Sequence, residues 1–249
     1  MATPNEHTRQ LVLALRKRGG RRRGAGRPAR GARASEPHRK RPEHKGRYPV
    51  HVTTRVAQGI PRLRSRLMFL AIREATIRVV GRDDFRIVHL SIQANHLHLI
   101  VETSDKASLA KGMQAFLGSA AKQIKAALRA TQARAVPRAV FPDRYHLSAL
   151  TTPRAVRHAV AYVLNNWRRH REDRGGSACG WKLDRYSSAI DFAGWAGLAD
   201  SSLLYRAPDA HLSLIVRQPR TWLLRIGWLQ HHSLISEREV PGPRTRVAT

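Results

Sequence analysis

FRIVHLSIQANHLHLIVET, residues 85–103, decides the fold of this chain. Arg86 to Gln93 and His96 to Thr103 are short apolar runs, and only Ala94-Asn95 separates them. So tight a polar connection predicts two adjacent antiparallel strands. Side chains two apart on a strand share a face, which sets His96 and His98 side by side, about 7 Å apart along the strand. Leu97, Leu99 and Val101 then line the other face. Two imidazoles converging just past a turn, at the rim of a sheet, are half of a metal site. The chain has 13 His, so some His-x-His pairs arise by chance. A half-buried histidine with a satisfied hydrogen bond is the bland alternative, and the second half of the site has to come from elsewhere in the sequence.

Upstream, Val50, Val52, Thr54 and Val56 alternate with polar residues, the period of a half-buried strand. Order is expected to begin at Tyr48. Gly59-Ile-Pro61 breaks this strand, and Pro61 suits the first turn of a helix whose apolar stripe reads Leu63, Leu67, Leu70 and Ile77, closed by Gly81. Downstream, Ser104-Asp105 caps a long helix with Leu109, Met113, Phe116, Ala120, Ile124 and Leu128 at spacings of three and four. Its other face carries Lys122 and Lys125. Phe141 to Leu150 reads as a fourth strand, and Thr151 or Thr152 caps a third helix with Pro153 at its first position, running to about Arg171. The order strand, helix, strand, strand, helix, strand is the split βαβ plan of α+β ferredoxin-like domains, an antiparallel sheet with helices on one face. One further helix follows it. Beyond Gly175 the pattern is less regular, although Leu212 to Ile226 is apolar enough to pack another strand or helix on the core.

The composition narrows the partners. A formal charge of +29 in 249 residues, with pI near 11.8, excludes a protein that handles neutral metabolites and points to nucleic acid. Residues 1–47 are rich in Arg, Gly, Ala and Pro and read as a disordered basic arm, yet the rest of the chain is basic too. The expected organisation is that arm, an ordered domain over 48–174, and an extension over 175–249 packing on it. The single cysteine, Cys179, excludes an intramolecular disulfide and a Cys-rich zinc site. No apolar run approaches the roughly 20 residues that span a bilayer. Leu11 to Leu15 is too short for a signal-peptide core, so a soluble cytoplasmic protein, associated with the nucleoid, is expected.

The third helix carries the other half of the site. His158, Tyr162 and Asn166 recur every four residues and share a helical face. Asn95-His-Leu-His98, followed by Arg157-His-Ala-Val-Ala-Tyr162-Val-Leu-Asn-Asn166 and Asp184-Arg-Tyr-Ser-Ser188, resembles the single-tyrosine HUH transposases, more closely their REP-associated tyrosine transposase group within the IS200-like family. The resemblance covers about residues 47–190. It implies the ferredoxin-like HUH nuclease fold, with His96 and His98 as metal ligands, Tyr162 as nucleophile and Asn166 as a polar third ligand. Ala94 stands where the family usually has Pro, and Trp167 where a Pro commonly follows the Asn. The helix is therefore expected to continue, and whether Asn165 or Asn166 faces the metal stays open.

Two neutral imidazoles, an amide oxygen and a substrate phosphate form a mixed N/O set suited to Mg²⁺ or Mn²⁺. A tyrosine hydroxyl, with a reference pKa near 10, needs cationic neighbours or a proton acceptor to attack at neutral pH; Arg154, Arg157 and His158 are the candidates. Arg144, Arg154, Arg157, Lys122 and Lys125 are the candidate DNA contacts. Attack by Tyr162 would leave a 5′-phosphotyrosyl strand and a free 3′-OH, and the resemblance implies single-stranded DNA folded into hairpins as substrate. A single site tyrosine argues for a homodimer or a sequential cycle; Tyr145 and Tyr186 read as structural. Two rivals remain: a non-catalytic, domesticated nucleic-acid-binding protein on the same fold, and a zinc hydrolase, for which Glu102 is the only obvious third ligand.

Overall fold

The computed structural model describes residues 41, 43–131, 136–174, 182–203, 207–208, 210–230 and 233–242. The expected basic arm, except for its last few residues, lies outside the described residues, as do Leu11 to Leu15 and Cys179. Described contacts reach back before Tyr48 to Arg41, whose guanidinium lies 3.5 Å above the Tyr145 ring and donates to the Tyr145 carbonyl.

The elements run β1 (Val50–Arg55), α1 (Arg66–Val80), β2 (Phe85–Ile92), β3 (His96–Thr103), α2 (Lys106–Ala130), β4 (His146–Ala149) and α3 (Pro153–Arg169), followed by the one-turn helices α4 (Ala196–Ala199) and α5 (Trp222–Arg225). The sheet order is β2-β3-β1-β4 with every neighbouring pair antiparallel. That is the ferredoxin-like arrangement, in which β3 fills the gap between β1 and β2, and β1 the gap between β3 and β4.

Alternation along β3 divides the molecule into layers. Leu97, Leu99 and Val101 face a core closed by α1 and α2 through Ile72, Met113 and Phe116. Gly112 permits this closeness, because a Cβ there would sit 2.1 Å from the Phe85 ring. Ile100 and Val88 face the opposite way and are covered by Val156, Val160, Val163 and Leu164 of α3. Helices therefore lie on both faces of the sheet rather than one: α1 and α2 follow the expected plan, and α3 covers the apolar strip that Ile100 and Val88 leave on the second face.

Three local expectations are corrected. Helix α1 begins at Arg66, with the Ser65 hydroxyl accepting from the Met68 amide, not at Pro61. The preceding residues are held elsewhere: the Leu63 amide donates to the Ala94 carbonyl and Arg64 is bound to Asp184. The buried stripe of α1 is Met68, Phe69, Ile72, Ala75, Thr76 and Val79, while Leu67 and Ile77 are exposed. A stripe displaced by one residue turns the helix by about 100°. The fourth strand is confined to His146–Ala149; Pro142 lacks an amide for the ladder, and the Tyr145 carbonyl is taken by Arg41. The caps at Asp105, Thr152 and Gly81 match expectation.

After α3 the chain returns along the β2 edge. The Tyr186 carbonyl accepts from the Ile92 amide, and Ser188 exchanges bonds with both the amide and the carbonyl of Leu90. Farther on, the Arg217 amide donates to the Ile87 carbonyl. These bonds satisfy an edge that would otherwise be open to pairing with another chain.

Candidate active site

His96 and His98 begin β3, opposite Arg55 and Thr53 of β1, on the face toward α3. Their Nε2 atoms lie 3.0 Å apart. The other ring nitrogens are engaged: His96 Nδ1 is 2.8 Å from the Asn95 amide oxygen, and His98 Nδ1 is 3.1 Å from the Thr53 hydroxyl and 3.2 Å from His51 Nε2. With both Nδ1 atoms protonated, two lone pairs face each other across 3.0 Å. A cation relieves that repulsion, and the spacing suits adjacent ligands of an octahedral ion with bonds of about 2.1 Å. Burial, with Arg55 and His170 nearby, lowers the His96 pKa to about 4, so this imidazole is neutral at neutral pH. Metal ligation requires that form.

Helix α3 lies over this pair. The Tyr162 ring sits 5.1 Å from the His98 ring and 5.9 Å from the His51 ring, edge-on to both. Two turns later His170 lies 6.0 Å from His96. Asn166 stands midway between them on the same helical face. It is fully buried, and neither atom of its amide has a hydrogen-bond partner. Such a group is costly unless something binds it. Asn165, by contrast, donates to the Ser236 carbonyl at 2.9 Å. Among the described residues no group of three or more His, Cys, Asp and Glu side chains is arranged to hold an ion. The donors that could hold a divalent cation here are the two imidazoles and, from α3, the Asn166 amide.

Residues 47–166, just under half the chain, match the family described as "Transposase IS200 like". Over this segment the chain is similar to the IS200-like transposases. No curated protein matches the chain. Among solved structures, a REP-associated tyrosine transposase bound to a REP hairpin is 19% identical with a TM-score of 0.40, covering 54% of this chain and 74% of that one. A putative transposase from Deinococcus radiodurans R1 is 11% identical with a TM-score of 0.36, covering 52% and 92%.

The remaining candidate residues separate into groups. Arg157 lies about 140° around α3 from Tyr162 at 100° per residue; its guanidinium grips Glu239 through two bonds of 2.7 and 2.9 Å and is a strut for the C-terminal segment, not a neighbour of Tyr162. Arg154 and His158 are exposed on α3, two turns and one turn before Tyr162 respectively. Lys122 and Lys125 lie on α2, across the sheet from the site, and Lys125 donates to the Arg138 carbonyl. Arg144 lines a cavity of about 580 Å³ with Arg41 and Lys106, also on the α2 side. Glu102 accepts from the Arg220 and Thr221 amides at the far end of β3, so it is no ligand of the His pair.

Two neighbours of Tyr162 lie outside the residues singled out from the sequence. Arg169 places its guanidinium 5.9 Å from the Tyr162 ring; a spacing of seven on the helix signals it. His51 is 4% exposed and touches both His98 and Tyr162. Only the strand register brings it there, so no local signal could have found it.

Proposed function

We propose that this protein is a single-stranded DNA transesterase, a transposase that cuts and rejoins DNA through a 5′-phosphotyrosine. The carrying observation is the Tyr162 ring 5.1 Å from that of His98, on a helical face whose next turn presents the unpartnered Asn166 amide. His96, His98 and Asn166 would hold Mg²⁺ or Mn²⁺. When bound, such an ion polarises a non-bridging oxygen of the scissile phosphate.

The chain's own groups do the rest. The Tyr162 oxygen attacks phosphorus, the bond to the 3′ oxygen breaks, and the departing oxygen takes up a proton as a free 3′-OH. Arg169 stabilises the phenolate as the phenol loses its proton. The covalent bond to Tyr162 retains the phosphodiester's free energy, so a 3′-OH of another strand can displace the tyrosine without a nucleotide cofactor. The excess of Lys and Arg supplies phosphate contacts for a folded hairpin substrate.

The test incubates the full chain with hairpin oligonucleotides bearing single-stranded flanks, plus Mg²⁺ or Mn²⁺. A covalent protein–DNA adduct is expected that disappears in Tyr162→Phe and in His96→Ala. Tight binding with no adduct under either metal would replace this reading with that of a DNA-binding protein.

A further inference from the structure

A cavity of about 330 Å³ opens beside the β2 edge, lined by Arg66, Phe69 and Leu70 of α1, by Arg185 and Tyr186, and by Pro208, Ala210, His211 and Leu212. Its volume is at the small end of ligand pockets and of the size of a single nucleotide. Apolar walls come from Phe69, Leu70 and Leu212, and positive charge from two guanidiniums. Flat apolar surfaces with arginines are the chemistry that takes up an unstacked base and its phosphate.

The walls are rigidly built. Tyr186 is 9% exposed, and its ring packs edge-on to Phe69 at 5.9 Å. The Arg185 guanidinium donates to the Tyr186 hydroxyl at 2.8 Å. Behind them Asp184, fully buried, grips Arg64 through bonds of 2.7 and 3.0 Å and accepts from the Tyr186 amide. Arg64 also donates to the Ile92 carbonyl, and the Ile92 amide donates to the Tyr186 carbonyl. Ile92 lies four residues before His96. The cavity and the His pair are therefore hung on the same turn, one on the α1 flank of the β2 edge and the other on the α3 face.

We infer that this cavity is a subsite for one extruded nucleotide in the single-stranded DNA flanking the cleavage point. The inference rests on the transesterase reading for its ligand class. A strand leaving the His pair across the β2 edge reaches the cavity, where the base lodges against Phe69, Leu70 and Leu212 and its phosphate meets Arg66 and Arg185. The segment Asp184 to Ser188 then has two tasks: Asp184 anchors it, and Arg185 with Tyr186 forms the wall.

Binding of a hairpin oligonucleotide with a single-stranded flank, measured by fluorescence anisotropy in EDTA, tests this with an abasic site moved one position at a time. An abasic site at one flank position is expected to weaken binding about tenfold, the scale of one lost base–aromatic stack. In Leu212→Trp, which fills the cavity from a half-exposed position without changing charge, that penalty should vanish while the melting temperature holds. Arg66→Gln with Arg185→Gln should shrink it likewise. A flat scan, or a penalty unchanged in Leu212→Trp, overturns the assignment. The adduct assay with metal is read separately. An adduct with a flat scan removes the subsite and leaves the transesterase standing; a position-specific, Leu212-sensitive penalty without an adduct keeps the subsite and removes the transesterase.

Discussion

His51 Nε2 lies 3.2 Å from His98 Nδ1, joining β1 to β3 behind the paired Nε2 atoms. This contact, with the Thr53 hydroxyl at 3.1 Å, orients the His98 ring and leaves its Nε2 turned toward His96. Partners behind a ligating imidazole are worth about 10–100-fold in metal affinity. His51→Ala should therefore weaken Mn²⁺ binding by that factor with His96 and His98 both intact, and Thr53→Val by less. Calorimetric titration with Mn²⁺ checks both; unchanged affinity in His51→Ala would remove its role.

Asn165 and Asn166 separate by opposite responses. Asn166→Leu removes a buried amide with no partner, so without metal it should leave stability unchanged or raise it, while lowering Mn²⁺ affinity. Asn165→Leu breaks the bond to the Ser236 carbonyl and should cost about 1–3 kcal/mol with no effect on metal affinity. Urea unfolding of the two variants, with and without Mn²⁺, distinguishes them.

The Asp184–Arg64 pair is buried on both sides, with side-chain exposures of 0% and 5%. Removing one partner strands the other charge, so Asp184→Ala should cost about 3–5 kcal/mol in chemical denaturation. A loss below 1 kcal/mol would mean that solvent reaches Arg64 and the turn before His96 is held by backbone bonds alone.

Burial in β2 lowers the His89 pKa to about 4. The unfolded chain takes up this proton near pH 6.5, before the folded one does. Stability attributable to His89 is hence full above pH 6.5, falls as the pH drops toward 4, and levels off below it. His89→Gln should flatten that part of the stability profile relative to the unaltered protein. Parallel profiles would show that His89 does not contribute.

Gly112→Ala should destabilise by about 1–3 kcal/mol, because the added Cβ meets the Phe85 ring at 2.1 Å and α2 must lift from β2. Gly118→Ala, on the same helix with open space around it, is the control and should be neutral or slightly stabilising. Thermal melts of the two variants decide this.

Much of this architecture is local in origin. Two apolar runs separated by Ala94-Asn95 can only turn back on each other, and spacings of two and four put His96 beside His98 and Tyr162 in line with Asn166 whatever surrounds them. Caps at Asp105 and Thr152 were legible for the same reason, since a hydroxyl or carboxylate three residues before a free amide is a neighbourhood property. What the sequence could not settle was which elements meet. Long-range pairing brings His51 behind His98, lays α3 on the second face of the sheet, and diverts Arg157 to Glu239; each depends on contacts between residues far apart in the chain. The choice between Asn165 and Asn166 is of this kind. Helical spacing leaves them one residue apart, and only the carbonyl of Ser236, about seventy residues on, draws one amide away and leaves the other buried beside the histidines.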